Sequence, residues 1–326
     1  MDWFWSRFGR TTPQSISNFR FDTPGALALF NMRLAAYARA RNLAAARPQV
    51  ATGGPGLMDL RSKVSTQEDL ESRWAGFWLR ELKLAFVYHR KLWELAYVMQ
   101  ALNQTGCLSP GKTGVGFGCG REILPSYFAS RGLRILATDM PRSAERASAW
   151  KATNQHSESM ADLYFPDLCS ADKFHTQVSW RDVDMNHLPA DLGLFDFCWS
   201  ICAIEHLGSI EQATDFVERA LGYLVPGGIA VHTTEFAFLS RDRPFEKSST
   251  VLFTRSDLRA LDRRLANAGH NLAPIDFNPG EGPMDIFIDG PPYWHAQEGL
   301  PDNIHLKATY EGVPTTCFGM IVRKAA

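Results

Sequence analysis

Four short segments carry the residues whose types and spacing could do chemistry. The first is the glycine-dense turn Val115-Gly116-Phe117-Gly118-Cys119-Gly120-Arg121-Glu122, and the second is Asp139-Met140, reached through the apolar run 133–138. Glycines let backbone approach a bound ligand closely. An acid about 20 residues after such a turn is placed to accept hydrogen bonds from a ribose. The third segment, residues 181–189, holds Asp184, which can accept from an adenine amino group, and Met185, which can cover the ring. The fourth is an apolar run, residues 195–201, that leads into Glu205-His206. A histidine titrating near neutrality can take a proton from an oxygen or nitrogen acceptor, and Glu205 can orient or polarise it. His232, followed by Thr233, Thr234 and Glu235, is a second candidate base, and the residues alone do not rank the two.

One motif is a decoy. Gly106-Cys107-Leu108-Ser109-Pro110-Gly111-Lys112-Thr113 fits the Walker A pattern. A phosphate-binding loop must run straight into a helix whose N-terminus faces the phosphates. Here Gly114, Gly116, Gly118 and Gly120 follow, interleaved with apolar residues, and such a stretch cannot start a helix.

The elements that must position these residues follow from the pattern of apolar runs. Residues 1–107 read as helical, with an alanine-rich tract at 26–46 and a second tract at 66–102 whose Trp74, Phe77, Trp78, Leu82, Ala85 and Phe86 recur at helical spacing. Between 112 and 235, short apolar runs alternate with helical stretches, which predicts a parallel sheet. The candidate strands are 113–117, 133–138, 177–180, 195–201 and 229–233. A helix over 210–224 ends at Pro226-Gly227-Gly228. A helix over 256–268 is expected to be capped by Ser256, and 271–277 and 315–323 read as two more strands. The loop-rich span 278–313 is long enough to be functional.

Composition limits the classes. The chain has 326 residues, 45% hydrophobic, with a formal net charge of −1, so no global field draws it to nucleic acid or an acidic membrane. No apolar run approaches the roughly 20 residues of a membrane span. The N-terminus, with an acid at position 2 and Trp3, Trp5 and Phe8, lacks the apolar core of a secretory signal, so a cytoplasmic protein is expected. Those aromatics could dock on a membrane or a partner, a second copy in a homodimer included, and suit packing on the protein's own body better. Six cysteines show no paired spacing and read as buried free thiols. The aspartates are dispersed, and no metal site is expected. His156, His175 and His187 fall in polar stretches and read as surface residues.

Taken in order, the four segments resemble the class I S-adenosylmethionine-dependent methyltransferases over about residues 112–235. The resemblance implies an α/β fold: a doubly wound, mostly parallel, Rossmann-like sheet of seven strands, the last antiparallel and formed by 315–323. It implies a helical N-terminal cap over 1–107 and a methyltransferase domain over 108–326, with insertions around 236–253 and 278–313 that hold the acceptor. Carried over by position, Gly116, Phe117, Gly118, Cys119 and Gly120 approach the methionine part of S-adenosylmethionine. Asp139 binds the ribose, Met140 lies along the adenine, Asp184 and Met185 complete its pocket, and Ser200 and Ile201 edge the methionine end. The chain departs from the family twice: Gly116 stands where many members have an acid, and Glu122 replaces the third glycine. The cofactor's ammonium then needs another acceptor, backbone carbonyls or Glu122 itself.

The resulting expectation is methyl transfer to a small-molecule or glycan-type acceptor, on oxygen. Phe287, Tyr293, Trp294, His295 and His305 in the long loop suit a sugar or small aromatic ligand, and Arg241, Arg243 and Lys247 could meet an anionic one. Two other readings stay open: a nicotinamide-dependent oxidoreductase using the same glycine turn, and a non-catalytic cofactor-binding protein on the same fold. Glu205-His206 and the Asp184 segment speak against the first, and the missing acid at Gly116 sustains the second.

Overall fold

The computed structural model describes residues 24–47, 53–141, 159–240, 245–290 and 304–326. Trp3, Trp5, Phe8, His156, Arg241, Arg243, Tyr293, Trp294 and His295 lie outside them. Strands β1 (Ser62–Val64), β2 (Thr113–Gly116), β3 (Arg134–Asp139), β4 (Val178–Asp182), β5 (Phe195–Ile201), β6 (Leu224–Phe236), β7 (Asn271–Leu272), β8 (Ile275–Asp276), β9 (Ile288–Asp289), β10 (Lys307–Tyr310) and β11 (Val313–Arg323) form one sheet. Its main path runs β4-β3-β2-β5-β6-β11-β1-β8. The five strands from β4 to β6 pair in parallel, and β11 runs antiparallel to β6, with Cys317 opposite Glu235.

The sheet is thus doubly wound and mostly parallel, with β11 as the expected antiparallel strand. It has eleven strands, where seven were expected. Four of the extra pairings arise because β11 is long enough to accept β1, β7 and β10 along its length, and β8 then adds to β1. Thr113 opens β2, so the Walker-like stretch leads into a strand.

Among the described residues the helices are α1 (Pro24–Ala46), α2 (Gln67–Glu71), α3 (Arg73–Glu81), α4 (Arg90–Gln104), α5 (Leu124–Ser130), α6 (Ala171–Gln177), α7 (Ile210–Ala220), α8 (Arg255–Asn267) and α9 (Pro283–Ile286). The tract 66–102 is therefore three helices, and β1 lies between the two expected helical tracts. Thr66 and Ser72 cap α2 and α3, accepting from the backbone N–H of Asp69 and Ala75, which is why the tract breaks there. The cap of α8 is Thr254 and not Ser256: Thr254 and Asp257 close a reciprocal capping box. Pro226-Gly227-Gly228 does not end a helix. It bulges out of the start of β6, where the pairing to β5 slips between Phe195 and Phe197. No described helix is long and apolar enough to cross a membrane.

Strand alternation divides the core. Phe197 and Trp199 of β5 join one cluster, with Trp93 and Tyr97 of α4 and Phe128 of α5. Val115, Phe117 and Cys198 join the other, with Phe216 of α7 and Leu258 of α8. Helix α4 is buried from Leu92 to Leu102, as expected of a helix apolar nearly all round. That fixes its first turn, Arg90 and Lys91, at the rim where the parallel strands end.

Candidate functional site

Ligands of open α/β sheets sit beyond the carboxyl ends of the strands. A cavity occupies that place here. Gly118 to Glu122 line it after β2, Asp139 and Met140 after β3, Val183 and Met185 after β4, and Ile201, Cys202, Ala203, His206 and Leu207 after β5. Lys91 and Leu95, one turn apart on α4, close the opposite wall. Gly118 has φ +62°, and a Cβ there would stand 2.8 Å from the Cβ of Ala203 and 3.3 Å from Met185 Sδ. Only glycine fits this turn. Asp139 is nearly buried, and its Oδ1 accepts from the N–H of Met140, which leaves the carboxylate at the cavity wall.

Not every expected residue reaches the cavity. Phe117 points to the other face of the sheet and meets Phe216 edge-on at 5.2 Å. Ser200 alternates with Ile201, so only Ile201 lines the cavity, and Ser200 Oγ pairs with His232 Nδ1 at 2.8 Å. His232 is fully buried against Phe216, and burial pushes its pKa down to about 3. It is a core histidine, not a base at the site. Asp184 turns both oxygens to its own loop, accepting from the N–H of Asn186 at 2.9 Å and meeting His187 Nδ1 at 3.0 Å. Val183, one residue earlier, takes the place at the wall. His175 and His187 are exposed.

His206 does line the cavity. Its Nδ1 lies 3.0 Å from the carbonyl oxygen of Ser249, which can only accept, so Nδ1 carries the proton and Nε2 is the basic nitrogen. Burial lowers its pKa to about 4. Glu205, with Oε1 3.8 Å from His206 Nε2, lies behind the wall, and burial with Glu235 nearby raises its pKa to about 8.

Gly116 and Glu122 are linked through one side chain. Gly116 pairs with Trp199 across β2 and β5, and a Cβ at 116 would sit 2.4 Å from both Trp199 Cζ2 and Cys119 Sγ. The indole fills the space an acid at 116 would need. Its Nε1 donates to Glu122 Oε1, holding that carboxyl at the cavity wall. Glu122 makes no ion pair among the described residues, and burial raises its pKa to about 8. A buried acid is costly to ionise, and the charge of Lys91 across the cavity only partly offsets that cost. Nothing in the spacing of positions 116, 122 and 199 announces this exchange. A tryptophan on the strand paired to the glycine strand was the only signal.

Residues 115–232 match the family model described as "Methyltransferase domain". No curated protein sequence matches the chain. Among solved structures, it is similar to the magnesium protoporphyrin IX methyltransferase of Synechocystis with bound S-adenosylhomocysteine, at 12% identity, covering 76% of this chain and 92% of that one with a TM-score of 0.42. It is also similar to an S-adenosylmethionine-dependent methyltransferase of Mesorhizobium loti, at 14% identity, covering 69% and 96%, with a TM-score of 0.39. The segment 115–232, which supplies most of the cavity wall, is a methyltransferase domain.

Proposed function

We propose that the protein transfers the methyl group of S-adenosylmethionine to an oxygen of a small-molecule or glycan-type acceptor, and that residues 1–107 with the insertions around 236–253 and 278–313 form the acceptor side. The observation that carries this reading is the cavity in which Gly118, Glu122, Asp139, Met185 and His206 meet at neighbouring strand ends. When bound, the cofactor supplies the electrophilic methyl. The protein's work is to hold the acceptor in line behind it and to take its proton.

Asp139 is assigned to the ribose hydroxyls, Met140, Val183 and Met185 to the adenine, and Gly118 to Gly120 to the methionine arm. Glu122 is assigned to the ammonium. His206 is the base. It is neutral at physiological pH because its pKa is near 4, and its proton on Nδ1 is tied to Ser249, so Nε2 can accept the proton of the acceptor. Ser249 orients that imidazole through Nδ1, and Glu205, 3.8 Å from Nε2, can polarise it.

Asp139→Ala is expected to weaken S-adenosylhomocysteine binding by about 100-fold or more, through the loss of charge-assisted hydrogen bonds. Calorimetry measures it, and retained affinity would count against the pocket as assigned. His206→Ala is expected to lower turnover by about 10²- to 10⁴-fold with cofactor affinity unchanged. Unchanged turnover would remove the base role from His206. The acceptor class is tested with methyl-labelled S-adenosylmethionine and cell extract: label should enter small, hydroxyl-bearing molecules. Label confined to protein or nucleic acid would overturn that part of the reading.

A further inference from the structure

The fold brings together two cysteines that are far apart in sequence. Cys202 directly follows β5 and lines the cavity, while Cys317 of β11 lies opposite Glu235 of β6 and is fully buried. Their sulfurs are 3.7 Å apart, and both thiols donate to the single carboxylate of Glu94 on α4, at 2.9 and 3.0 Å. Ligand atoms of Glu94, Cys202 and Cys317 all lie within 4.8 Å of one another, as do those of Cys202, Glu205 and Glu235. Glu235 is buried, and its Oε2 has no hydrogen-bond partner.

We propose that Glu94, Cys202 and Cys317 bind one thiophilic dication of the zinc class, with Glu235 as the neighbouring carboxylate and an open position toward the cavity wall that Cys202 forms. Two thiolates about 2.3 Å from a tetrahedral zinc stand roughly 3.8 Å apart, close to the separation here. The carboxylate of Glu94 must draw back by about half an ångström from both sulfurs to complete the geometry. Two thiolates with carboxylate oxygen select zinc or cobalt over magnesium or calcium.

Charge favours the exchange. Glu94 faces Lys91 at 3.4 Å, and Glu235 is ion-paired to Arg90, so the surrounding charges already cancel. Both thiols act as donors and so carry protons. Binding replaces two S–H bonds with two metal–sulfur bonds and releases two protons. The dication is matched by two thiolates, and the net charge of the site does not change. No electron moves, so no oxidant is needed.

The site sits at the end of β5, two strands along the sheet from Asp139, which is the side left for an acceptor if Asp139 holds the ribose. An ion there would hold an acceptor oxygen and make its proton easier to remove. That role rests on the function proposed above, but ion binding does not.

The test is titration of the reduced, full-length protein with Co²⁺, followed by Zn²⁺. One equivalent of Co²⁺ should give thiolate-to-cobalt charge-transfer absorption, with two protons released per ion, and Zn²⁺ should abolish the absorption. Cys317→Ser and Cys202→Ser should each weaken Co²⁺ binding by about 100-fold or more. Thermal melting and S-adenosylhomocysteine affinity report whether each variant is folded. No charge-transfer absorption from the folded wild type, the same absorption in a folded serine variant, or release of fewer than two protons overturns the proposal. Failure to bind S-adenosylhomocysteine, with cobalt binding intact, would instead strike the function proposed above and leave the ion site standing.

Discussion

Glu122→Gln should weaken S-adenosylhomocysteine binding by about 10- to 150-fold, the worth of one charge-assisted contact in a buried site. Glutamine keeps the shape and can still accept from Trp199 Nε1, so the change removes charge and little else. The control is 5′-methylthioadenosine, which has no amino-acid arm and should bind both proteins alike. If both ligands lose affinity equally, Glu122 acts on the pocket's shape and not on the ammonium.

The proton count gives an independent reading of the same contact. With its pKa near 8, Glu122 is protonated at pH 7, and an arriving ammonium favours the carboxylate, so binding releases a proton. Affinity should therefore rise with pH toward 8. Above that, a cofactor α-amino group with a pKa of roughly 8 must regain a proton to bind, and affinity should fall. Calorimetry in buffers of different ionisation enthalpy should show proton release at pH 7, uptake at pH 9, and neither in Glu122→Gln near pH 7. Release that persists in the variant would place the linked proton elsewhere.

Gly116→Asp, which puts an acid at the end of β2, should destabilise this protein by about 3 kcal/mol or more. Its Cβ alone would stand 2.4 Å from Trp199 Cζ2 and from Cys119 Sγ, both in a packed core, and its carboxylate would join Glu122 in the same buried space. Gly116→Ala should show the steric part by itself. Adding Trp199→Val to Gly116→Asp should recover part of the loss, because the indole is what fills the space. A melting temperature for Gly116→Ala equal to that of the wild type would contradict this packing argument, as would a double variant no better than Gly116→Asp.

The parts of the site that were legible in the sequence are those fixed by local order along the chain. The glycine turn after β2, Asp139 at the end of β3 and His206 just beyond β5 each follow from a strand ending where a special residue begins. Which face a side chain takes was less legible. Alternation says that Ser200 and Ile201 point opposite ways, but not which of them meets the cavity. The same gap misplaced Phe117 and His232, both of which pack toward Phe216. Asp184 was read as an adenine contact, and its oxygens instead accept from the N–H of Asn186 and meet the ring of His187 in its own loop. Contacts between distant segments were invisible. Trp199 crossing Gly116 to reach Glu122 requires the β2–β5 register, and the meeting of Glu94, Cys202 and Cys317 requires α4, β5 and β11 to be placed together.

Calorimetric titration of the wild-type protein with S-adenosylhomocysteine and, separately, with NADH tests the assignment of this cavity most directly. One S-adenosylhomocysteine should bind per chain, with the affinity lost in Asp139→Ala, and NADH should give no heat of binding. Saturable binding of NADH with no response to S-adenosylhomocysteine would mean that Gly118 and Asp139 hold a different nucleotide.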